Sequence, residues 1–392
     1  MDHYIYMDNS ATTPLKKDIL DEMIPYLTNN YGNPSSVYSL GSKSKVAVEK
    51  AREQVADAIG AGKKEVFFTS GGSEADNWAI RGIAYKYRDK GNHIITSKVE
   101  HHAVLHTCQY LEKHGFEVTY LDVDEEGLID LEDLKSAITD KTILISIIFA
   151  NNEIGTIQPI KEIGEIARSN NVYFHTDAVQ AIGSLEIDVN DLNIDLLSLS
   201  AHKFYGPKGI GALYVKRGIR LDSIITGGGQ ERGKRAGTEN VAGIVGLGKA
   251  IELAIENIDE NSKKLTKLRD SLIKKIENNI DNVRLNGHRT KRLPGNVNMC
   301  FEFIEGESLL LSLDMVGIAA SSGSACTSGS LDPSHVLLAI GLPHGIAHGS
   351  LRLSLGLNNT EEEVDYVVEK LVEIVERLRK MSPLYDKIKG DE

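Results

Sequence analysis

The sequence predicts an α/β protein: a mainly parallel, seven-stranded sheet flanked by helices, with a smaller α+β unit attached. Three observations predict it. Through the first two-thirds of the chain, short apolar β-like runs alternate with helix-like segments, the pattern of a parallel sheet covered on both faces. At 392 residues the chain exceeds the size at which one hydrophobic core ordinarily stops growing, which favours two domains. From about Asn240 the alternation gives way to a long helical stretch and then to a unit with few strands.

The strands are read at Glu65 to Thr69, His93 to Ser97, Glu117 to Leu121, Thr142 to Phe149, Val172 to Thr176, Leu196 to Ser200 and Ala212 to Val215. Helices are expected near Ser73 to Asp89, His102 to Lys113, Leu131 to Ala137 and Ile160 to Asn170. A long amphipathic helix of mixed charge is expected from about Asn240. A strand at Asn296 to Phe301, a helix at Gly306 to Met315, a loop around Cys326 and a final helix, Thr360 to Arg379, complete the smaller unit. The chain carries no internal repeat or low-complexity tract.

Composition narrows the function. Hydrophobic content of 41% and charged content of 26% are those of an ordinary globular protein. A net charge of −12 argues against binding a phosphate backbone over a large surface, so nucleic acid is not an expected partner. No apolar run reaches the length of a membrane span, and the first residues lack the basic and apolar regions of a signal peptide, so no membrane association and a cytoplasmic location are expected. Three cysteines, Cys108, Cys300 and Cys326, without a C-x-x-C pair, disfavour a disulfide framework and a cysteine-built zinc site.

The chemistry concentrates at strand ends, where open α/β sheets place their sites. Lys203 stands just past the run ending at Ser200, before a Gly/Pro turn; a lysine partly desolvated there loses its proton readily and can form a Schiff base with a carbonyl. Ser200 and His202 beside it suit an anion such as phosphate. At Gly71-Gly72-Ser73 a strand ends in glycines and a helix begins, so free N–H groups and the helix dipole converge on one point. His101 follows the strand ending near Ser97 and is placed to stack on a planar ring or move a proton. Asp177, at another strand end, must be paired to stay charged when buried, and a protonated ring nitrogen is a suitable partner. Asn152 and Gln180 are placed to hydrogen-bond the ring's substituents. Together these residues describe a pyridoxal phosphate site.

Other signals read as structural. Asp8 to Pro14 is turn-prone before a helix and reads as capping. His102 and His106 have the spacing of a helical zinc pair but lack a third ligand nearby in the sequence. Gly243, Gly248 and Lys249 match a phosphate-loop spacing, but Ala250 replaces the Ser or Thr that would hold magnesium, and the segment reads as helix. Cys108 and Cys300 read as buried, apolar cysteines. Cys326, in Ser321-Ser322-Gly323-Ser324-Ala325-Cys326-Thr327-Ser328-Gly329-Ser330, lies in small polar surroundings suited to a nucleophile that enters a site and leaves it.

The chain resembles the cysteine desulfurases of the NifS/IscS class, fold-type I pyridoxal phosphate enzymes, from about Tyr6 to Tyr385. The resemblance rests on residues 200–211 and 321–330, supported by Tyr-Gly-Asn-Pro-Ser-Ser at 31–36, Asn-Asn-Glu-Ile-Gly at 151–155 and Arg-Ala-Gly-Thr-Glu-Asn at 235–240. It implies a large cofactor-binding domain over 14–255 and a small domain formed by 1–13 and 256–392, whose loop at about 321–332 carries the catalytic cysteine. It implies that Lys203 holds the cofactor as a Schiff base, that Asp177 pairs with the pyridine nitrogen and that His101 stacks on the ring and moves a proton. Asn152 and Gln180 would contact the ring's edge, and Gly72, Ser73, Ser200 and His202 the phosphate, with Thr238 reaching in from the second subunit of a homodimer. Arg352 would clamp the carboxylate of L-cysteine, helped by Asn33. The implied reaction converts L-cysteine to L-alanine and leaves a persulfide on Cys326 for an iron–sulfur scaffold or other sulfur acceptor. Cys326 is also the one candidate metal ligand, as a transient iron–sulfur ligand shared with such a scaffold. Two readings compete: another pyridoxal phosphate reaction, such as transamination or selenocysteine lysis, and a non-catalytic sulfur or iron carrier. Leu357-Asn358-Asn359, where many relatives carry a basic and aromatic pair, and an end soon after Tyr385 leave the acceptor and its docking surface open.

Overall fold

A computed structural model describes residues 4–322, 333–382 and 385. Its main sheet is built from β2 (Val66–Thr69), β3 (His93–Ser97), β4 (Glu117–Leu121), β5 (Thr142–Ser146), β6 (Tyr173–Asp177), β7 (Leu196–Ser200) and β8 (Gly211–Val215), following a two-residue β1 (Ile5–Tyr6). The strand order is β2-β8-β7-β6-β5-β3-β4, parallel except for β8, which runs antiparallel to both neighbours. The carboxyl ends of β2, β3, β5, β6 and β7 therefore share one edge.

These strands are near-continuous apolar runs because both faces are covered. Successive residues feed different cores, as the pleat requires. Ile95, Ile145, Leu197 and Leu199 join one core with Val55, Ile59, Phe174 and Ile251. Ile94, Leu144, Leu196 and Leu213 join another with Trp78, Ile80, Ile83 and Leu111 from the helices Gly72–Lys86 and His102–Glu112.

A second group of elements surrounds β9 (Val283–Leu285), β10 (Asn296–Phe301), β11 (Ile318–Ala319) and β12 (Ser350–Ser354). Strands β12-β10-β9 form an antiparallel sheet, packed on the helices Ile258–Asn279, Gly306–Met315 and Glu361–Lys380. The last helix begins with a capping box, Thr360 and Glu363 satisfying each other's backbone N–H groups. The first residues belong with this group: β1 pairs with β11, and Ser354 N donates to Met7 O at 2.7 Å. The chain then crosses to the large sheet, where Thr13 N donates to His202 O at 2.9 Å.

Several expected boundaries move. The β5 ladder stops at Ser146, although Ile147 N and Phe149 N still donate to the carbonyls of His175 and Asp177. The long helix expected from Asn240 is two helices, Val241–Glu256 and Ile258–Asn279, broken at Asn257. They serve different cores: the first, largely apolar, packs Ile244, Leu247 and Ile251 beneath the main sheet, and the second turns Leu268, Leu272 and Ile276 to the smaller core. The helix Ser39–Ala58, absent from the sequence reading, has a Ser/Lys/Ala-rich pattern whose buried face is mostly small residues. No helix among the described residues is long and apolar enough to cross a membrane.

Ile145, fully buried at the centre of the sheet, tests this arrangement. Ile145→Ala should cost about 2–5 kcal/mol, read as a lower urea midpoint of the main-sheet transition.

Candidate active site

The shared edge of the sheet brings the expected residues together. Beyond β2, Gly71, Gly72 and Ser73 line an open recess of about 400 Å³ with Ser200, His202 and Lys208. The recess thus gathers the residues that the sequence assigns to an anion, with Lys208 added. At Gly72 a Cβ would lie 2.6 Å from the Val179 side chain, so a larger residue would have to push Val179 aside. Glu74 receives Ser70 N at 2.8 Å and a two-pronged contact from Arg235 (2.8 and 3.0 Å), which ties the segment carrying Thr238 to the cradle. Thr238 itself is exposed.

Asp177 ends β6, buried, with Oδ1 accepting from Val179 N at 2.9 Å. Burial pushes its carboxyl up to about 6, opposed by that N–H and by the Lys203 ammonium. Lys203 donates from Nζ to the carbonyls of Ser10 (2.5 Å) and Ala11 (2.9 Å). Gln180 Nε2 reaches the same Ser10 carbonyl at 2.9 Å. The Asp8–Pro14 stretch is thus more than a cap: its carbonyls hold Lys203 in place.

His101 precedes the helix His102–Glu112 and accepts Ala103 N on Nδ1 at 3.1 Å, leaving its proton on Nε2. Burial, then the nearby Lys203 charge, brings it down to about 4, so it is neutral at pH 7. His202 is likewise brought down to about 4, by burial and by Lys203 and Lys208, and its Nδ1 lies 3.1 Å from Thr12 Oγ1.

Asn151 spends its side chain on the turn after β5, donating to Val99 O and accepting from Glu153 and Ile154 N–H groups. The next residue, Asn152, accepts Arg352 Nη1 on its carbonyl at 2.9 Å. Arg352 stands in the middle of β12, its side chain 2% exposed, with Nη2 2.9 Å from Asp8 Oδ1. A carboxylate therefore already sits on this guanidinium. Asn33 lies in an exposed turn, where Oδ1 accepts from Ser35 N; no described contact brings it to Arg352.

Sequence reasoning missed two groups. Asp8 was passed over inside a turn-like stretch. Asp76 lies on the apolar face of its helix, between Ala75 and Trp78, where an acid is costly and marks a polar contact. Asp76, His101 and Asp177 place one atom each within 4.8 Å of one another. The Lys203 charge acts on both His101 and Asp177, which disfavours a metal cation in the same pocket. His102 gains His335 as a neighbour, with ring centres 4.7 Å apart, and stacks on His106 at 4.9 Å. Among the described residues these rings do not converge as a three-ligand set. The Gly243–Ala250 segment is helix, as expected.

Cys326 lies outside the described residues. Burial pushes the Cys300 thiol up to about 11 and the Cys108 thiol higher still, so neither is a nucleophile at neutral pH.

Two features fit pyridoxal phosphate: a buried carboxylate with one backbone donor, next to a lysine, and a glycine cradle at a helix start. Fold and site together define a pyridoxal phosphate-dependent protein of the aminotransferase-like kind. The chain belongs to the aminotransferase class-V family, which residues 5–367 match. It is 66% identical to the cysteine desulfurase IscS of Clostridium botulinum over 98% of each chain. Among solved structures, a NifS-like protein superposes with a TM-score of 0.91 at 40% identity, covering 96% of this chain and 100% of that one. SspA in complex with cysteine gives 0.80 at 42% identity, covering 90% and 98%.

Glu100, beside His101, is buried and accepts Ser97 Oγ (2.5 Å) and Ile148 N (2.9 Å). Burial raises it to about 8 from 4.5. A carboxyl raised on folding contributes stability that is complete at low pH and is lost as pH climbs from its ordinary value through about 8. Glu100→Gln should remove that dependence, so the fall in melting temperature from pH about 5 to about 9 becomes shallower than in wild type.

Proposed function

We propose that the protein is a pyridoxal phosphate-dependent cysteine desulfurase that converts L-cysteine to L-alanine and passes the sulfur to Cys326. The observation that carries this reading is the convergence of Lys203, Asp177 and His101 at neighbouring strand ends, opposite an arginine from a different sheet.

The residues divide the work as follows. Gly72, Ser73, Ser200 and His202 hold the cofactor's phosphate, Asp177 its ring nitrogen, and Asn152 and Gln180 its edge. When bound, pyridoxal phosphate supplies an electron sink that makes the substrate's α-proton labile. The Lys203 amine would serve as the base for that proton, and neutral His101 carries an Nε2 proton it can give and retake. Arg352 takes the substrate carboxylate with planar, two-pronged geometry. Because Asp8 already occupies Nη2, the substrate carboxylate displaces it or shares the guanidinium. The Cys326 thiolate attacks the substrate sulfur, an S–S bond forms as the carbon–sulfur bond breaks, and the β-carbon takes a proton and leaves in L-alanine. A persulfide remains on Cys326.

The resemblance supports further assignments: a large domain over 14–255, a small one over 1–13 and 256–392, and a homodimer in which Thr238 reaches the partner's phosphate site. The exposed position of Thr238 and its tether through Arg235 to Glu74 accord with that role. We assign Asn33 to the carboxylate end of the site, an iron–sulfur scaffold or other carrier as sulfur acceptor, and the cytoplasm as location. Where the acceptor is a scaffold, Cys326 becomes a transient cluster ligand.

Cys326→Ala should keep the yellow absorbance of the loaded protein and lose sulfide release from L-cysteine; unchanged turnover would refute the persulfide step. Lys203→Ala should lose the lysine-linked absorbance altogether. For Arg352→Lys, loss of the two-pronged contact should raise KM for L-cysteine by roughly tenfold or more, with a smaller change in kcat, measured by alanine formation.

A further inference from the structure

Behind Asp177 lies a polar layer that the reaction as described does not use. Ser146 on β5, His175 on β6 and Ser198 on β7 are neighbours across three strands. The His175 ring bridges them, Nδ1 to Ser146 Oγ at 2.8 Å and Nε2 to Ser198 Oγ at 3.0 Å. His175 and Asp177, two residues apart on one strand, face the same side of the sheet. From the helix Gly72–Lys86 above them, Asp76 comes down, 1% exposed; its Oδ1 lies 3.7 Å from His175 Nε2 and has no hydrogen-bond partner, while the Ser198 side chain hydrogen-bonds the carboxyl.

We propose that Asp76 is a positioning residue that acts as a neutral acid, filling the space behind Asp177 with a dipole so that the pocket's single negative charge stays on Asp177, toward the cofactor's ring nitrogen. The inference rests on the pyridoxal phosphate reading of the site.

Two carboxyls this close and this buried do not both ionise, and the proton settles on the one with the poorer surroundings. Asp177 has the Val179 N–H and the Lys203 ammonium. Asp76 has no backbone donor among its described contacts; the Ser198 hydroxyl alone supports its charge, and it faces Asp177, Glu100 and His175. Burial and Asp177 outweigh that one hydroxyl, and the remaining neighbours push the same way or are silent. Glu100 is itself raised to about 8 by burial, and burial takes His175 down to about 3, so that ring is neutral and forms no ion pair with Asp76. His101, the remaining titratable neighbour, is neutral as well. Burial and the Asp177 charge accordingly hold the Asp76 proton in place at neutral pH. An ionised Asp76 would add a second anion within 4.8 Å and raise Asp177's own proton affinity, weakening the ring contact.

The test uses full-length apoprotein carrying ¹³Cγ-aspartate. One aspartate carboxyl should keep the chemical shift of the protonated form at neutral pH, and that resonance should vanish in Asp76→Asn. Pyridoxal phosphate binding, followed by absorbance, should fall off below pH about 6 as Asp177 protonates. In Asp76→Asn, which keeps a neutral group of the same shape, that midpoint should stay where it is in wild type. In Asp76→Ala, water admitted beside Asp177 should move it down. A midpoint lowered in Asp76→Asn by about one pH unit, equivalent to a tenfold shift in proton affinity, or an Asp76 resonance titrating in the ordinary carboxylate range, would overturn the proposal. Wild-type apoprotein that binds no pyridoxal phosphate would instead overturn the reading of the site itself.

Discussion

A buried carboxylate at the end of a central strand is the constraint on which the rest of this structure turns. Placing Asp177 at 5% exposure with one backbone donor leaves an anion short of solvation. Such a group is tolerated only where cations or donors are arranged around it. Lys203, in the turn just past β7, supplies one cation, and in the proposed site the cofactor's ring nitrogen would supply the other. The surrounding geometry follows from that need. Parallel strands bring Asp177, His101 and Lys203 to the same edge, and β8, reversed against its neighbours, returns the chain so that Ser200 and Gly72 meet.

The second organising contact is the crossing of the N-terminal segment between the two sheets. It enters as β1 beside β11, presents Asp8 to Arg352, and then lays the Ser10 and Ala11 carbonyls on Lys203. One short stretch thus touches both Arg352 and Lys203.

The expected strands and the site residues on the main sheet were legible because both depend on local pattern. Each apolar run is short, bounded by turn residues, and followed directly by the polar group that the sheet carries to its edge. Lys203, Asp177, His101 and the glycine cradle could be named without coordinates. The smaller strands were harder: β12 runs through Ser350-Leu351-Arg352-Leu353-Ser354, where a buried arginine interrupts the apolar signal. The break at Asn257 went unseen because helical character continues on both sides and only the core being served changes.

The sequence by itself determined the fold class and the family to which the chain belongs, since these are carried by contiguous motifs and by the period of the hydrophobic pattern. Only the tertiary structure decided which polar groups meet: that Asp8 pairs with Arg352 across 344 positions, that His335 leans on His102 and the Glu100 carbonyl, and that Asp76 stands behind Asp177. The physical reason is that a charge is made stable or costly by what is packed against it in space, and the burial and partners that set its proton affinity come from segments the linear order keeps far apart.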